Sequence, residues 1–273
     1  MTSLTELNLG NNEIASLPYT VGELTALTKM TLSGNVLKNL PPTMGRIMGL
    51  KELFVTNNLL EAPPRDVVER GGAAILSYLR SFHVGNRTGI LTMSRMSLET
   101  LPLEMAVKER VTELDVSKNQ LESLPEEIGL LVNCKIMLLD FNLLTSVPDS
   151  LAQLRKLQHL SMDGNKLVSL PEKISLMNGL KKLSFVDNRV TTIPMTLAYL
   201  TKLSHLGLDA AKMHSPPREI CMQGTKKILA FCGIVLEAPY TEAADLGGFG
   251  LRALPPEVFH TSSLQTLKLY NTY

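Results

Sequence analysis

Five histidines, three cysteines and 26 acidic residues are the side chains with which this chain of 273 residues could ligate a metal or move a proton. Their spacing argues against both uses. His159 and His205 lie two repeats apart in the period described below, and on short parallel strands two steps of the sheet put about 9–10 Å between them. One metal ion cannot span that gap without a third element. Cys221 and Cys232 are not spaced as a zinc pair, and they read as packed interior thiols. The run Gly247-Gly248-Phe249-Gly250 has neither the lysine nor the following helix of a phosphate-binding loop. Asp140, Asp163 and Asp209 recur in one column, but no pocket pairs them as acid and base. These residues predict no enzyme, no cofactor and no metal site.

What they do reveal is a period. Leu7-x-Leu9-x-x-Asn12-x-Ile14-x-x-Leu17-Pro18 returns at a 23-residue step as Met30-x-Leu32-x-x-Asn35-x-Leu37-x-x-Leu40-Pro41, and again around Asn58. Later copies centre on Asn119, Asn142, Asn165 and Asn188, while Met96, Ala211 and Phe249 take the asparagine position in three others. A fixed period of this length marks a repeat architecture rather than one central core. The expected domain is a single array over residues 1–273, with about ten units and a truncated eleventh. Two steps, from Asn58 to Met96 and from Ala211 to Phe249, are equal to each other and longer than the rest. Their extra residues, at about 63–85 and 216–238, carry the stripes Ala74, Ile75, Tyr78, Leu79 and Ile228, Leu229, Phe231, which read as helices. One common offset relates the two long units, Met96 to Phe249 and Asn119 to Thr272, so the whole reads as a tandem of one larger, 153-residue block.

The physics of one unit dictates the architecture. Leu-x-x-Leu-x-Leu alternates at period two, placing its leucines on one face of a short strand. Such a strand cannot bury its face alone, and stacking units gives a parallel sheet over a continuous core. The asparagine follows the strand where the chain turns, and its amide can serve backbone groups that would otherwise be buried unpaired. Leu-Pro then opens a return segment of one or two helical turns. Strands pack closer than helices, so the sheet is expected on the concave side of a curved α/β solenoid. At Met96 and Phe249 the amide is missing, which predicts a local break in the asparagine ladder filled by a hydrophobic contact with the inserted helix.

The unit beginning Leu124-Pro125-Glu126-Glu127-Ile128-Gly129 resembles the 23-residue leucine-rich repeat of cytoplasmic signalling proteins, in particular the Ras-group class. The segments Pro63-Pro64-Arg65-Asp66-Val67…Ile75-Leu76-x-Tyr78-Leu79-Arg80 and Pro216-Pro217-Arg218-Glu219-Ile220 resemble longer units of intracellular leucine-rich proteins, some with an attached GTPase domain. The resemblance spans essentially the whole chain. It implies a non-enzymatic scaffold whose partner is a protein such as a Ras-type GTPase, a kinase or a phosphatase. The family offers no catalytic motif to carry over.

Composition bears on the setting. Formal net charge is +1 and no basic run appears, which argues against nucleic acid and against a polybasic membrane anchor. No apolar run approaches a membrane span. An odd cysteine count without end-capping pairs, and a start already in repeat at Met1-Thr-Ser-Leu, predict a reducing, cytoplasmic setting without a leader. Asn86-Arg-Thr88 fits a glycosylation sequon and reads as coincidence. An extracellular recognition domain or inhibitor is the alternative, and a fragment of a larger protein, prone to self-association through uncapped ends, is another. The candidate partner surface is the polar strand face: Phe54; Ile136, Leu138 and Phe141 as an apolar spot; Asp140, Asp163 and Asp209 in one column; His159, Lys182 and His205 in another; and Val186 beside them.

Overall fold

The computed structural model describes residues 3–102, 108–259 and 262–270. Thr272, the partner of Asn119 in the larger repeat, lies outside them. The chain divides into two compact units, residues 1–121 and 122–273, each built as a leucine-rich-repeat solenoid of short parallel strands flanked by helical segments.

In the first unit β1 (Glu6–Asn8), β2 (Lys29–Thr31) and β3 (Glu52–Phe54) pair in parallel, one residue of each strand opposite its repeat equivalent. Leu7, Met30 and Leu53 share one row, and Met30 and Leu53 are buried as the alternation requires. The Leu-Pro returns form five-residue 3-10 turns, Tyr19–Glu23 and Pro42–Arg46. After Pro64 the chain forms α1 (Arg65–Val68), turns at Gly71 with φ of 85°, and enters α2 (Gly72–Thr88). Ile75, Leu76, Tyr78, Leu79 and Phe82 form the buried stripe of α2, which packs on the Pro42–Arg46 turn. Gly45 permits that approach, since a Cβ there would lie 2.7 Å from the Leu79 carbonyl oxygen. The strand pair β4 (Ile90–Thr92) and β5 (Glu113–Asp115) follows.

In the second unit β6 (Ile136–Leu138), β7 (His159–Ser161), β8 (Lys182–Ser184) and β9 (His205–Gly207) pair in the same register. Proline-led 3-10 turns, Glu126–Leu130, Asp149–Gln153, Glu172–Leu176 and Met195–Tyr199, return the chain. The second long unit forms α3 (Arg218–Cys221) and α4 (Thr225–Thr241), again 17 residues opened by a glycine at positive φ, Gly224. Strands β10 (Ala243–Asp245) and β11 (Thr266–Lys268) pair beyond it, and α5 (Pro256–Phe259) lies between them in sequence.

The asparagines form the ladder their spacing predicts. Asn165 Nδ2 donates to the Met162 carbonyl of its own repeat and to the Leu139 carbonyl of the repeat before, and Oδ1 accepts from Leu144 N–H. Asn35, Asn58 and Asn188 repeat all three contacts. Strand-end carbonyls are thus reached by two amides: the Met162 carbonyl also accepts from Asn188, and the Leu139 carbonyl from Asn142.

The expected break at Met96 takes a different form. Asn119 of the next repeat accepts from both Met96 N–H and Leu98 N–H and donates to the Met93 carbonyl, so the turn is satisfied without an amide of its own. At Phe249 the hydrophobic contact is present: the ring is 5% exposed and lies edge-on to Phe231 of α4 at 6.2 Å, with Lys227 Nζ 4.7 Å from its centre. Gln223 Nε2 donates to the Phe249 carbonyl.

Candidate protein-binding surface

Register assembles ten of the eleven candidate residues onto the second unit. Ile136, His159, Lys182 and His205 occupy one row across β6 to β9, with Ile136 joining the column of three read from the sequence. Leu138, Ser161, Ser184 and Gly207 occupy the next row on that face, Ser161 buried and the other three half-buried. Beyond the strands, the pairing continues through Phe141 N–H to the Asp163 carbonyl and Gly164 N–H to the Val186 carbonyl, aligning Asp140, Asp163, Val186 and Asp209. Phe54 stands apart from these. It belongs to the first unit, in the row Asn8, Thr31, Phe54, and is 45% exposed.

The apolar spot is uneven. Ile136 and Leu138 are half-buried, and Phe141 is 56% exposed. Phe141 has a left-handed backbone, φ of 55°, and its ring covers Gly164 of the next repeat, where an added Cβ would lie 2.6 Å from Cδ1. The ring therefore rests on the backbone of the next repeat although more than half of the residue faces solvent.

The aspartates face inward as well as outward. Asp140 Oδ1 accepts from the Ser161 hydroxyl and from Asp163 N–H. Asp163 Oδ1 repeats this with the Ser184 hydroxyl at 2.6 Å and Val186 N–H at 2.7 Å. Asp209 Oδ2 accepts from Asp187 N–H and from Lys212 Nζ. Each carboxylate thus fastens one repeat to a neighbour or braces its own turn, a role that sequence reasoning missed. The signal was there: an aspartate in this column is followed by a serine on the next strand twice, at 140/161 and 163/184.

His159 is half-buried beside Lys182, and desolvation first, then the Lys182 charge and His205, hold its pKa below the ordinary value against the opposing pull of Asp140 and Asp163. His205, one strand beyond Lys182, is exposed. Among the described residues no three His, Cys, Asp or Glu side chains form a group able to hold a metal ion.

The three cysteines are buried. Burial pushes the Cys221 thiol up to about 11 and Cys232 up to about 12. They are core-filling residues, so their number carries no information about redox compartment.

A family model, Leucine rich repeat, matches residues 109–167. No curated protein matches the chain. Among solved structures, a leucine-rich-repeat protein of Leptospira interrogans is 25% identical over 97% of this chain and 54% of its own, with a TM-score of 0.42. The Toll–Spatzle complex of Drosophila is 25% identical over 81% of this chain and 29% of its own, TM-score 0.45. The plant peptide hormone receptor RGFR1 in complex with RGF2 is 20% identical over 98% of this chain and 34% of its own, TM-score 0.40. The chain spans about half or less of the length of these proteins.

The matched residues 109–167 are leucine-rich repeats, and the same short strand and proline-led turn recur through both units. The cytoplasmic placement expected from its cysteines is withdrawn: similar solved structures include Toll with Spatzle and a plant peptide hormone receptor with RGF2. The physical reason for the error is the burial of all three thiols, which packing alone explains.

Proposed function

We propose that the chain holds a protein partner on the strand face of its second unit, centred on Leu138 and Phe141 and bordered by the His159–Lys182–His205 row and the aspartate column. The observation that carries this reading is the Phe141 ring, exposed yet resting over Gly164, beside half-exposed Ile136 and Leu138. An apolar centre inside a polar rim is the anatomy of a protein interface, and a pre-positioned aromatic anchor loses little conformational freedom on binding. The surrounding strands are fixed by the asparagine ladder and by the Asp–Ser contacts, so the surface is set before a partner arrives.

Of the two partner classes open to such a face, a secreted or surface-displayed protein is the one adopted. A Ras-type GTPase, kinase or phosphatase, implied by the Ras-group likeness of the repeats, presupposes the cytoplasmic setting that has been withdrawn. Capture with the immobilised chain from both extracellular and cytosolic fractions tests the assignment, with Leu138→Ser and Phe141→Asn as the discriminating double variant. Serine already occupies the Leu138 row in two neighbouring strands, and asparagine tolerates positive φ, so the variant keeps the fold. A partner retained by the parent and lost by the variant is the expected result. A partner held equally by both places the contact elsewhere.

A further inference from the structure

We infer that the rim formed by the N-terminal ends of β6 to β9 docks an acidic protein segment; this rests on the reading of the second unit's strand face as the partner surface. Both units supply the same first strand row, and they fill it differently. In the three-stranded sheet of the first unit the row is Glu6, Lys29, Glu52, alternating in sign, and Lys29 Nζ closes on Glu52 at 3.5 Å. In the second unit the row is Ile136, His159, Lys182, His205, with no acid in it.

The residues just before that row add to the imbalance. Lys135, Lys156, Lys181 and Lys202 are exposed, as is Lys182, and residues 133–136, 156–159, 179–182 and 202–205 contain no aspartate or glutamate. Among the described residues none of these five lysines forms an ion pair, although Lys156 Nζ donates to Asn133 Oδ1. The strip extends past β9. Leu206 N–H donates to Thr225 Oγ1, which brings the start of α4 and the exposed Lys226 alongside that strand. Uncompensated charge at a position that the first unit neutralises internally calls for compensation from outside, and clustered cations steer and orient an oppositely charged partner.

The aspartate column decides which anion fits. Asp140, Asp163 and Asp209 lie further along the chain from the first row, about 13 Å away at strand rise, which is close to the screening length of about 10 Å in ordinary salt. A nucleic acid or an anionic membrane carries one sign of charge across its width and meets the aspartates as well as the lysines. A protein segment can be acidic along one edge only.

The test uses the full chain and three probes: a fluorescein-labelled polyglutamate peptide, a labelled single-stranded oligonucleotide and vesicles containing phosphatidylserine. Polyglutamate is expected to bind in a salt-dependent manner, more tightly than the oligonucleotide or the vesicles. Lys181→Glu with Lys182→Glu is expected to weaken it roughly tenfold or more and to flatten its salt dependence, while Lys29→Glu in the first unit changes neither. All three sites are exposed or half-exposed, and circular dichroism verifies folding. No polyglutamate binding, binding unchanged by the double reversal, or equal or tighter binding of the oligonucleotide or vesicles overturns the inference. Those results leave the face reading standing if the Leu138→Ser/Phe141→Asn variant still loses its captured partner. Retention of that partner by the variant removes the face reading whatever polyglutamate does.

Discussion

Replacing Asn165 with alanine should destabilise the second unit by about 2–4 kcal/mol. The magnitude follows from what each of its contacts leaves behind. Leu144 N–H, fully buried, loses the Oδ1 acceptor at 3.1 Å, and an orphaned buried donor costs about 1–3 kcal/mol. The two carbonyls that Asn165 serves are less affected, because the Leu139 carbonyl keeps Asn142 Nδ2 at 2.9 Å and the Met162 carbonyl keeps Asn188 Nδ2 at 2.9 Å. Their loss adds about 1 kcal/mol together, at the low end for hydrogen bonds. Urea unfolding of parent and variant gives the total, with exposed Lys166→Ala as a control expected within about 0.5 kcal/mol of the parent. Hydrogen exchange locates the damage, since repeat arrays respond through nearest neighbours. Protection should fall most in the segment containing Leu144. A loss below about 0.5 kcal/mol, or exchange that rises uniformly along the unit, would refute the account of the ladder as shared carbonyls and singly served N–H groups.

Three further outcomes follow from the same geometry. Asp163→Ala should cost about 1–3 kcal/mol by stranding Val186 N–H and the Ser184 hydroxyl, and Asp163→Asn should recover most of that in the same urea assay because it keeps an acceptor. The His159 resonance should titrate by NMR below the ordinary histidine range and move up in Lys182→Met, which removes a lowering charge; with the folded pKa depressed, its contribution to stability is intact above the unfolded value of about 6.5 and is lost as pH falls from there through the folded value. Cys134, Cys221 and Cys232 should resist iodoacetamide in mildly alkaline buffer in the native protein and react together in denaturant, since all are buried and two have strongly raised pKa values; rapid labelling of native protein would show that the core opens.

The fold was legible because its information is periodic. One strand, one asparagine and one Leu-Pro repeat often enough that each register position is stated several times, and period two within the unit fixes which side chains point inward. The two long helices declared themselves through Ala74, Ile75, Tyr78 and Leu79 and their counterparts, although in the structure Leu76 is buried and Ala74 only half-buried. The surface was legible only in part. Rows could be assigned by counting, which brought His159, Lys182 and His205 together. The inward bonds of Asp140 and Asp163 depend on serines of the following repeat, a pairing that a residue-by-residue inspection of exposed positions overlooks. The lysine rim escaped for a similar reason: Lys135 and Lys181 stand just before the strand, and Lys156 and Lys202 a little further back, outside the face first considered. Cysteine number misled because it reports packing here.

The doubly served carbonyls have a bearing on how such a chain can change length. Excising one period, residues 143–165, would set Asn188 in the place after Asn142, with its amide ready to reach the Leu139 carbonyl that Asn165 serves now. Every donor would find an acceptor of the same kind, so gain or loss of a period is close to a silent edit, and array length can drift under selection for reach alone. The second long unit does not share that freedom. Excising residues 97–119 would bring Asn142 to the Met96 turn that Asn119 serves now, but the Phe249 carbonyl accepts from Gln223 within its own long unit. A cut between those two residues would remove a bond that no neighbouring repeat supplies, making that place fixed punctuation in an otherwise extensible text.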